Sequence, residues 1–259
     1  MSDHEHHHVE IADRVATVTM DRAPVNAQDR AMREETVAIF DALSDDDRVG
    51  AVILCSGQRA FSAGADIRER RGIAPERGDY VRHNRLAREY FYAVADCEKP
   101  VIAAVNGAAI GAGFALMLAC DIMLMTEDAW VQMPEVNVGL AGGTAFIQEH
   151  FGKSRTRAMY FTGRRYPASE LYRLGVVEAV LPDRDVLMAE ARGYAAEIAA
   201  KSPLAIAAAK RAFSTVAEMP VRDAYRYEQS LTVALARTED AQEAQRAFVE
   251  KRDPVFKGR

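Results

Sequence analysis

Two short stretches place small residues where a backbone has to come close to something. They are Ala60-Phe61-Ser62-Ala63-Gly64-Ala65-Asp66 and Asn106-Gly107-Ala108-Ala109-Ile110-Gly111-Ala112-Gly113. Gly64 allows a tight turn that residues with a Cβ resist, and the Ala65 amide that follows is then able to point away from its strand. Gly111-Ala112-Gly113 opens an apolar run. If that run is a helix, the Ala112 N–H is one of the orphan amides at its start, where the helix dipole adds positive potential. Two such donors converging on one point would cradle a carbonyl oxygen that is gaining negative charge, each worth about 2.7–4 kcal/mol of transition-state stabilisation. Small residues in either stretch also serve plain close packing of helix on strand. It is the presence of both, in order, that points to chemistry. Ser62 invites a different reading, as a nucleophile, because AFSAG lies one glycine short of G-x-S-x-G. Its candidate bases would be His83 and His150, neither with an evident orienting partner.

Rigid elements have to hold those stretches. Residues 15–20 and 50–55 are short β-rich runs, and residues 101–105 form a fully apolar run entered through Pro100. Residues 122–125 and 176–181 read as later strands, the last after a helix that stops at Gly175. Helical spacing covers residues 28–43 and 80–96, the second with Leu86, Tyr90, Phe91 and Val94 on one side. Residues 113–120 are apolar on every side, which predicts a helix buried within the protein. Strands alternating with helices argue an α/β fold. From Arg184 onward helices follow with no strand, bounded by Pro203 and Pro220. Leu204, Ile206, Phe213, Leu231 and Phe248 give that tail apolar surface that must pack on the core or on another subunit.

The bulk properties remove whole classes of function. The chain has 259 residues, 49% hydrophobic and 27% charged, enough for a large buried core. A net charge of −5 argues against a nucleic-acid-binding face as the main function. No apolar run approaches the ~18 residues needed to span a bilayer. Cys55, Cys97 and Cys120 are scattered without metal-like spacing, so a disulfide framework is not expected and a reducing cytoplasm is. The opening MSDHEHHHVE has neither a basic nor an apolar region of a signal peptide, and residues 1–10 are expected to be a disordered, solvated, His-rich tail. His4, His6, His7 and His8 would take a metal ion only opportunistically, and no metal constellation appears elsewhere. The glycines at 111 and 113 lack the third glycine and the acid ~20 positions on that a dinucleotide site wants.

With these residues in place, the chain resembles the crotonase (enoyl-CoA hydratase/isomerase) family over nearly its whole length. That family's shared act is stabilising the enolate of an acyl-CoA thioester. The first stretch is similar to its AFxAGAD segment and the second to its NGxAxGGG segment, with Ala112 where the family usually has glycine. The resemblance implies a spiral of ββα turns over residues 11–183. A helical region over residues 184–259 would then build trimers, often stacked as hexamers. It implies that the Ala65 and Ala112 amides grip the thioester oxygen. Met133-Pro134-Glu135-Val136-Asn137-Val138-Gly139 resembles the family's PExxxG segment and Gly142-Gly143-Thr144 its GGT, which makes Glu135 the implied acid/base. Apolar neighbours would desolvate that carboxyl and suit it to proton transfer near neutrality.

One departure leaves the reaction open. Hydratases of the family carry a second glutamate three residues after the second amide, and that position is Ala115. A single glutamate suffices to move a double bond, taking a proton from C2 and returning it to C4. Syn addition of water uses a base and an acid, which one carboxylate would have to supply through its two oxygens. Dienoyl-CoA isomerases carry an acid eight residues past the glutamate, where this chain has Gly143, so that branch is discounted. The implied activity is therefore isomerisation or hydration of an enoyl-CoA, in the setting of fatty acid metabolism. The alternatives are a hydratase-lyase or hydrolase on a non-fatty acyl-CoA, or a non-catalytic acyl-CoA binder. No prosthetic group is implied, and coenzyme A enters as the substrate's thioester. The implied contacts to it are Arg59, Ala63, Ala65, Asp66 and Arg68 around the first stretch, and Lys210 and Phe213 in the tail, where residues 201–210 resemble the family's SPLAxxxxK element and would reach the coenzyme A of a neighbouring subunit. Residues 66–85, rich in charge and containing Gly72, Pro75 and Gly78, are expected to form a mobile segment over the acyl pocket.

Overall fold

A computed structural model describes residues 4–72 and 77–259. The chain opens with β1 (His7–Ala12) and β2 (Val15–Met20), then β3 (Ala27–Gln28) and α1 (Arg30–Ser44). β4 (Ala51–Ser56) leads to β5 (Gly64–Ala65), α2 (Ile67–Gly72) and α3 (Arg77–Ala95). β6 (Val101–Val105), β7 (Ala109–Ile110) and α4 (Ala112–Leu118) follow, then β8 (Ile122–Thr126), β9 (Trp130–Gln132), a 3-10 turn (Glu135–Val138) and α5 (Thr144–His150). The remainder is α6 (Lys153–Thr162), β10 (Arg165–Pro167), α7 (Ala168–Arg173), β11 (Ala179–Leu181), α8 (Arg184–Ala199), α9 (Pro203–Val216), α10 (Val221–Leu235) and α11 (Glu239–Glu250).

One repeating unit organises this order: a strand of the main sheet, a strand of two or three residues in a minor sheet, then a helix. The main sheet runs β1-β2-β4-β6-β8-β11, parallel throughout except for the antiparallel β1–β2 pair. The minor strands pair among themselves, β3 with β5, and β7 with β9 and β10. An isolated bridge from Ser62 to Ala109 links the two minor sheets. Each turn of the spiral thus carries its chain through a short second strand before the helix begins, and the two glycine-bearing stretches lie at those points.

Both faces of the main sheet are covered at its centre, which is why β4 and β6 read as near-continuous apolar runs. Val52 and Leu54 of β4, with Val101, Ala103 and Val105 of β6, face the larger core with α1, α3 and α4. Ala51, Ile53 and Cys55, with Ile102 and Ala104, face the other side, where Leu187, Ala191 and Ala195 of α8 cover them. The first helix beyond residue 184 is therefore a layer of the core. α9, α10 and α11 extend past it and leave Phe213, Tyr225 and Phe248 exposed.

The N-terminus departs from expectation. Residues 7–10 belong to β1 and are not a disordered tail. His7 is buried, with Nδ1 2.9 Å from Glu35 Oε2 and Nε2 3.1 Å from Thr36 Oγ1. Partners for both ring nitrogens make that burial affordable for a polar ring. Helix α1 begins at Arg30, two residues later than the periodicity predicts, because the Asp29 carboxylate accepts the Met32 N–H and caps it. Within residues 66–85 the described parts form α2 and the first turns of α3; Pro75 lies outside the described residues.

Candidate active site

The first stretch is held rigid by a buried polar cluster. Asn26 Nδ2 donates to Met20 O (3.2 Å), Ser56 Oγ (2.8 Å) and Phe61 O (3.1 Å). Ser62 Oγ donates to Asn26 O (2.7 Å) and accepts from Gly64 N (3.2 Å) and Gln28 Nε2 (3.0 Å). Ser62 is fully buried and its proton is committed to a main-chain oxygen, so its role is to brace the turn. Neither candidate base for a nucleophilic serine serves it: the ring of His150 bonds Leu118 O at 3.1 Å, and His83 stacks at a tilt on Tyr80.

The two stretches fit together through their glycines. Gly64 has φ +82°, and a Cβ there would overlap the Ile110 carbonyl oxygen and lie 3.2 Å from the Ala112 nitrogen. Gly113 meets Ser62 in the same way, with 2.8 Å left between an added Cβ and Ser62 Cβ. Hydrogen bonds from Ile110 N to Ser62 O (2.9 Å) and from Ser62 N to Ala108 O (3.2 Å) fix their register. Ala112 is the first residue of α4, so its N–H has no intrahelical acceptor.

Ala63, Gly64, Ala65, Gly111, Ala112, Ala115 and Glu135 line one cavity of about 470 Å3. Glu135 opens the 3-10 turn after Pro134, and Gly139, with φ +73°, ends that turn. The carboxylate lies over the start of α4: a Cβ on Gly111 would sit 2.5 Å from Glu135 Oε1. Gly111 itself has φ +54°, so both the backbone and the carboxylate require glycine there. Ala115, only 2% exposed, stands one turn further into α4 on the cavity wall. Gly142 and Gly143 also line the cavity, and the Tyr160 hydroxyl pins that loop, accepting from Gly142 N (2.6 Å) and donating to Gly142 O (3.0 Å).

The remaining sequence-derived contacts are placed elsewhere. Arg59 and Arg68 are exposed beside the first stretch. Asp66 is turned away from the cavity: its carboxylate pairs with Arg22 Nη1 at 3.0 Å and accepts the Arg68 N–H at 2.9 Å. Partial burial works to raise the Asp66 pKa, and the Arg68 amide and Arg22 guanidinium overcome it and hold the carboxyl below the usual carboxylate range. Lys210 does not line this chain's own cavity, and the contact expected of it is with a neighbouring subunit's coenzyme A. It is buried, with Nζ 2.8 Å from Asp121 Oδ2 and 3.0 Å from Lys99 O. Phe213, a turn further along α9, is 77% exposed. Helix α3 supplies a wall that the sequence reading left undivided: Ala87 and Phe91 within, His83, Asn84, Arg88 and Tyr92 at the edge. Gln28 and Arg33 line the cavity from its buried side and were also missed. A signal for Arg33 existed, since it shares the inward stripe of α1 with Thr36 and Phe40.

This arrangement joins two donor-bearing turns, a carboxylate and a largely apolar wall. Comparison with known proteins shows the family to which the chain belongs. The enoyl-CoA hydratase/isomerase family model matches residues 10–259. A carnitinyl-CoA dehydratase of Escherichia coli K12 is 37% identical over 254 residues, covering 95% of each chain. An enoyl-CoA hydratase structure from Bacillus anthracis superposes with TM-score 0.92 at 32% identity, covering 98% of this chain and all 100% of that one. Pseudomonas aeruginosa DspI superposes with TM-score 0.93 at 30% identity, over 99% and 98% of the two chains. The chain belongs to the enoyl-CoA hydratase/isomerase family and is an enzyme of it.

Proposed function

We propose that this protein catalyses reversible hydration of an enoyl-CoA, with Glu135 as its single acid/base and the Ala65 and Ala112 amides as its oxyanion hole. The observation that carries this reading is the position of Glu135 Oε1 against Gly111, on the cavity wall that also holds both amides. The thioester oxygen seats between the two N–H groups, and charge developing on it is met by donors that need no reorganisation. In the hydration direction, Glu135 takes a proton from water as the oxygen attacks C3. The enolate then collects a proton at C2 from the same carboxyl group. Dehydration reverses both transfers. The carnitinyl-CoA dehydratase relative supports this direction of chemistry. Arg59 and Arg68, exposed beside the first stretch, are the cations offered to the coenzyme A phosphates.

Ala115 favours a second reading, double-bond isomerisation, because that reaction needs one carboxylate only. Assay with trans-2-enoyl-CoA, trans-3-enoyl-CoA and carnitinyl-CoA separates the two. Hydration predicts turnover of the first, and isomerisation predicts conversion of the second without uptake of water. Glu135→Gln is expected to lower kcat by about 10²–10⁴ in either case. Unchanged kcat in that variant, or no turnover of any of the three by the wild type, removes the proposal. A non-catalytic binder would bind these thioesters and turn over none. We further infer that the exposed apolar residues of α9–α11, Phe213 and Phe248 among them, are covered by subunit pairing in a trimer, readable by light scattering. The three cysteines, all free and buried, fit a reducing cytoplasm.

A further inference from the structure

The cavity has a buried polar feature that the proposed chemistry leaves unused. Its wall is mostly apolar, formed by Ile67, Phe91, Met133, Leu140 and Phe146 among others. Gln28 lines it from the buried side with 0% exposure. The orientation of its amide is fixed by its neighbours. Ser62 spends its only proton on Asn26 O (2.7 Å), so Ser62 Oγ must accept from Gln28, and the Gln28 atom 3.0 Å away is the NH2 group. The other end of the amide is therefore the carbonyl oxygen. Gln28 Oε1 is buried and has no hydrogen-bond partner among the described residues. An acceptor stranded in this way carries an unrecovered desolvation cost that an incoming donor would relieve. Beside it, Arg33 donates from Nη2 to the Gln28 main-chain oxygen at 3.0 Å and lines the same cavity.

We infer that the buried side of this cavity is a subsite for a hydroxyl group on the substrate's acyl chain, which donates its proton to Gln28 Oε1. A carbonyl oxygen calls for a proton donor, which excludes a carboxylate, an ether and a plain methyl terminus. A quaternary ammonium carries no proton to give, and a protonated amine would be set close to the Arg33 guanidinium. A hydroxyl is neutral, gives one proton and fits the space of a terminal methyl. Gln28 Oε1 is closed off in the unliganded protein, so the hydroxyl reaches it only as the side chains between it and the cavity shift on binding. The preferred substrates are then hydroxylated acyl-CoA thioesters. A site built to receive a hydroxyl rejects an analogue that lacks it far more sharply than an apolar pocket rejects an extra methylene.

This inference rests on the acyl-CoA reading but not on turnover, so binding tests it. Saturated acyl-CoAs from butanoyl to decanoyl, each with a methyl, a hydroxyl or a methoxy terminus, are titrated calorimetrically into the wild-type protein, with free coenzyme A as reference. At one chain length the hydroxyl compound should bind about tenfold or more tighter than both twins. The methoxy compound, which keeps the oxygen but has no proton, should lose that advantage. In Gln28→Met the ratio of hydroxyl to methyl binding should fall to about one, whatever the change in absolute affinity. Equal binding of hydroxyl and methyl compounds at every length overturns the subsite, as does equal binding of hydroxyl and methoxy compounds. A preference that survives in folded Gln28→Met also overturns it. If Gln28→Met does not fold, the three-way comparison on wild type decides alone. Failure of every thioester and of coenzyme A to bind is a different result: it removes the acyl-CoA reading itself, and the subsite with it.

Discussion

A methyl group added at position 111 meets two obstacles at once. Gly111 has φ +54°, and the Cβ of an alanine would stand 2.5 Å from Glu135 Oε1. The backbone strain would cost about 1–3 kcal/mol, and the carboxylate would have to move. Displacement of about 1 Å at a reacting group is enough to lose about 10²-fold in rate. Gly111→Ala is therefore expected to lower kcat by about that factor. The double variant Gly111→Ala, Glu135→Gln should be no slower than Glu135→Gln alone, because both changes act through one carboxylate. Additive losses in steady-state kinetics would show that position 111 acts by another route. At this scale the sequence was readable where residue type reports backbone geometry: Gly64, Gly111 and Gly113 each occupy a place that a Cβ would fill. It was not readable where long polar side chains choose among partners. Lys210 sits in a segment that resembles a coenzyme-binding element, and nothing in the spacing of that segment announces its buried bond to Asp121. Gln28 looks like an ordinary helix-start residue until its bond to Ser62 is known.

Helix α4 meets the cavity with its first residue, and that allows a backbone donor to be deleted by mutation. Proline is tolerated at the first position of a helix, since its missing N–H would have no intrahelical acceptor there. Ala112→Pro removes the N–H assigned to the oxyanion hole and leaves the hydrogen bonds of α4 intact. The expected result is a loss of about 10²–10³ in kcat with little change in Tm. Full activity in a folded Ala112→Pro protein would move the second donor elsewhere. The opposite pattern is expected of Lys210→Met in α9. Loss of a buried charged bond to Asp121, which also accepts Val101 N at 2.7 Å, should destabilise the protein by about 1.5–3 kcal/mol. The KM for acyl-CoA should stay unchanged, and a raised KM at unaltered Tm would restore Lys210 to the substrate. Elements were legible in proportion to their length. β2 and β6 occupy the predicted residues: β6, buried on both faces, needs uninterrupted apolar sequence, and β2 alternates, with Ala16, Val18 and Met20 buried. β3, β5 and β7, with two residues each, are too short to show any period, although they carry the residues that line the cavity.

At the scale of the whole molecule, two imidazoles, one buried and one half-buried, tie distant parts of the chain together. His7 joins β1 to Glu35 and Thr36 of α1, and His150 of α5 bonds the carbonyl of Leu118 at the end of α4. Burial lowers the pKa of both below the ordinary value of 6.5; for His7 it outweighs the Glu35 carboxylate, and for His150 the bond to Leu118 and the charge of Glu149. His4 and His6, also near His7, push in the same direction as burial. In the unfolded chain each ring would take a proton near 6.5, while the folded protein holds it neutral to lower pH. The unfolded state then binds more protons in that window, so stability rises with pH across it. The contribution is complete above 6.5 and is lost as pH falls toward the depressed folded values. Each ring accounts for at most about 1.4 kcal/mol per pH unit. Tm measured by calorimetry should be flat above neutrality and fall as the buffer is taken below pH 6.5. His150→Gln keeps a donor for Leu118 and removes one titrating ring, so its Tm should fall less steeply over the same range. A variant whose Tm follows the wild-type curve in parallel through that window would show that His150 is not held neutral by the fold.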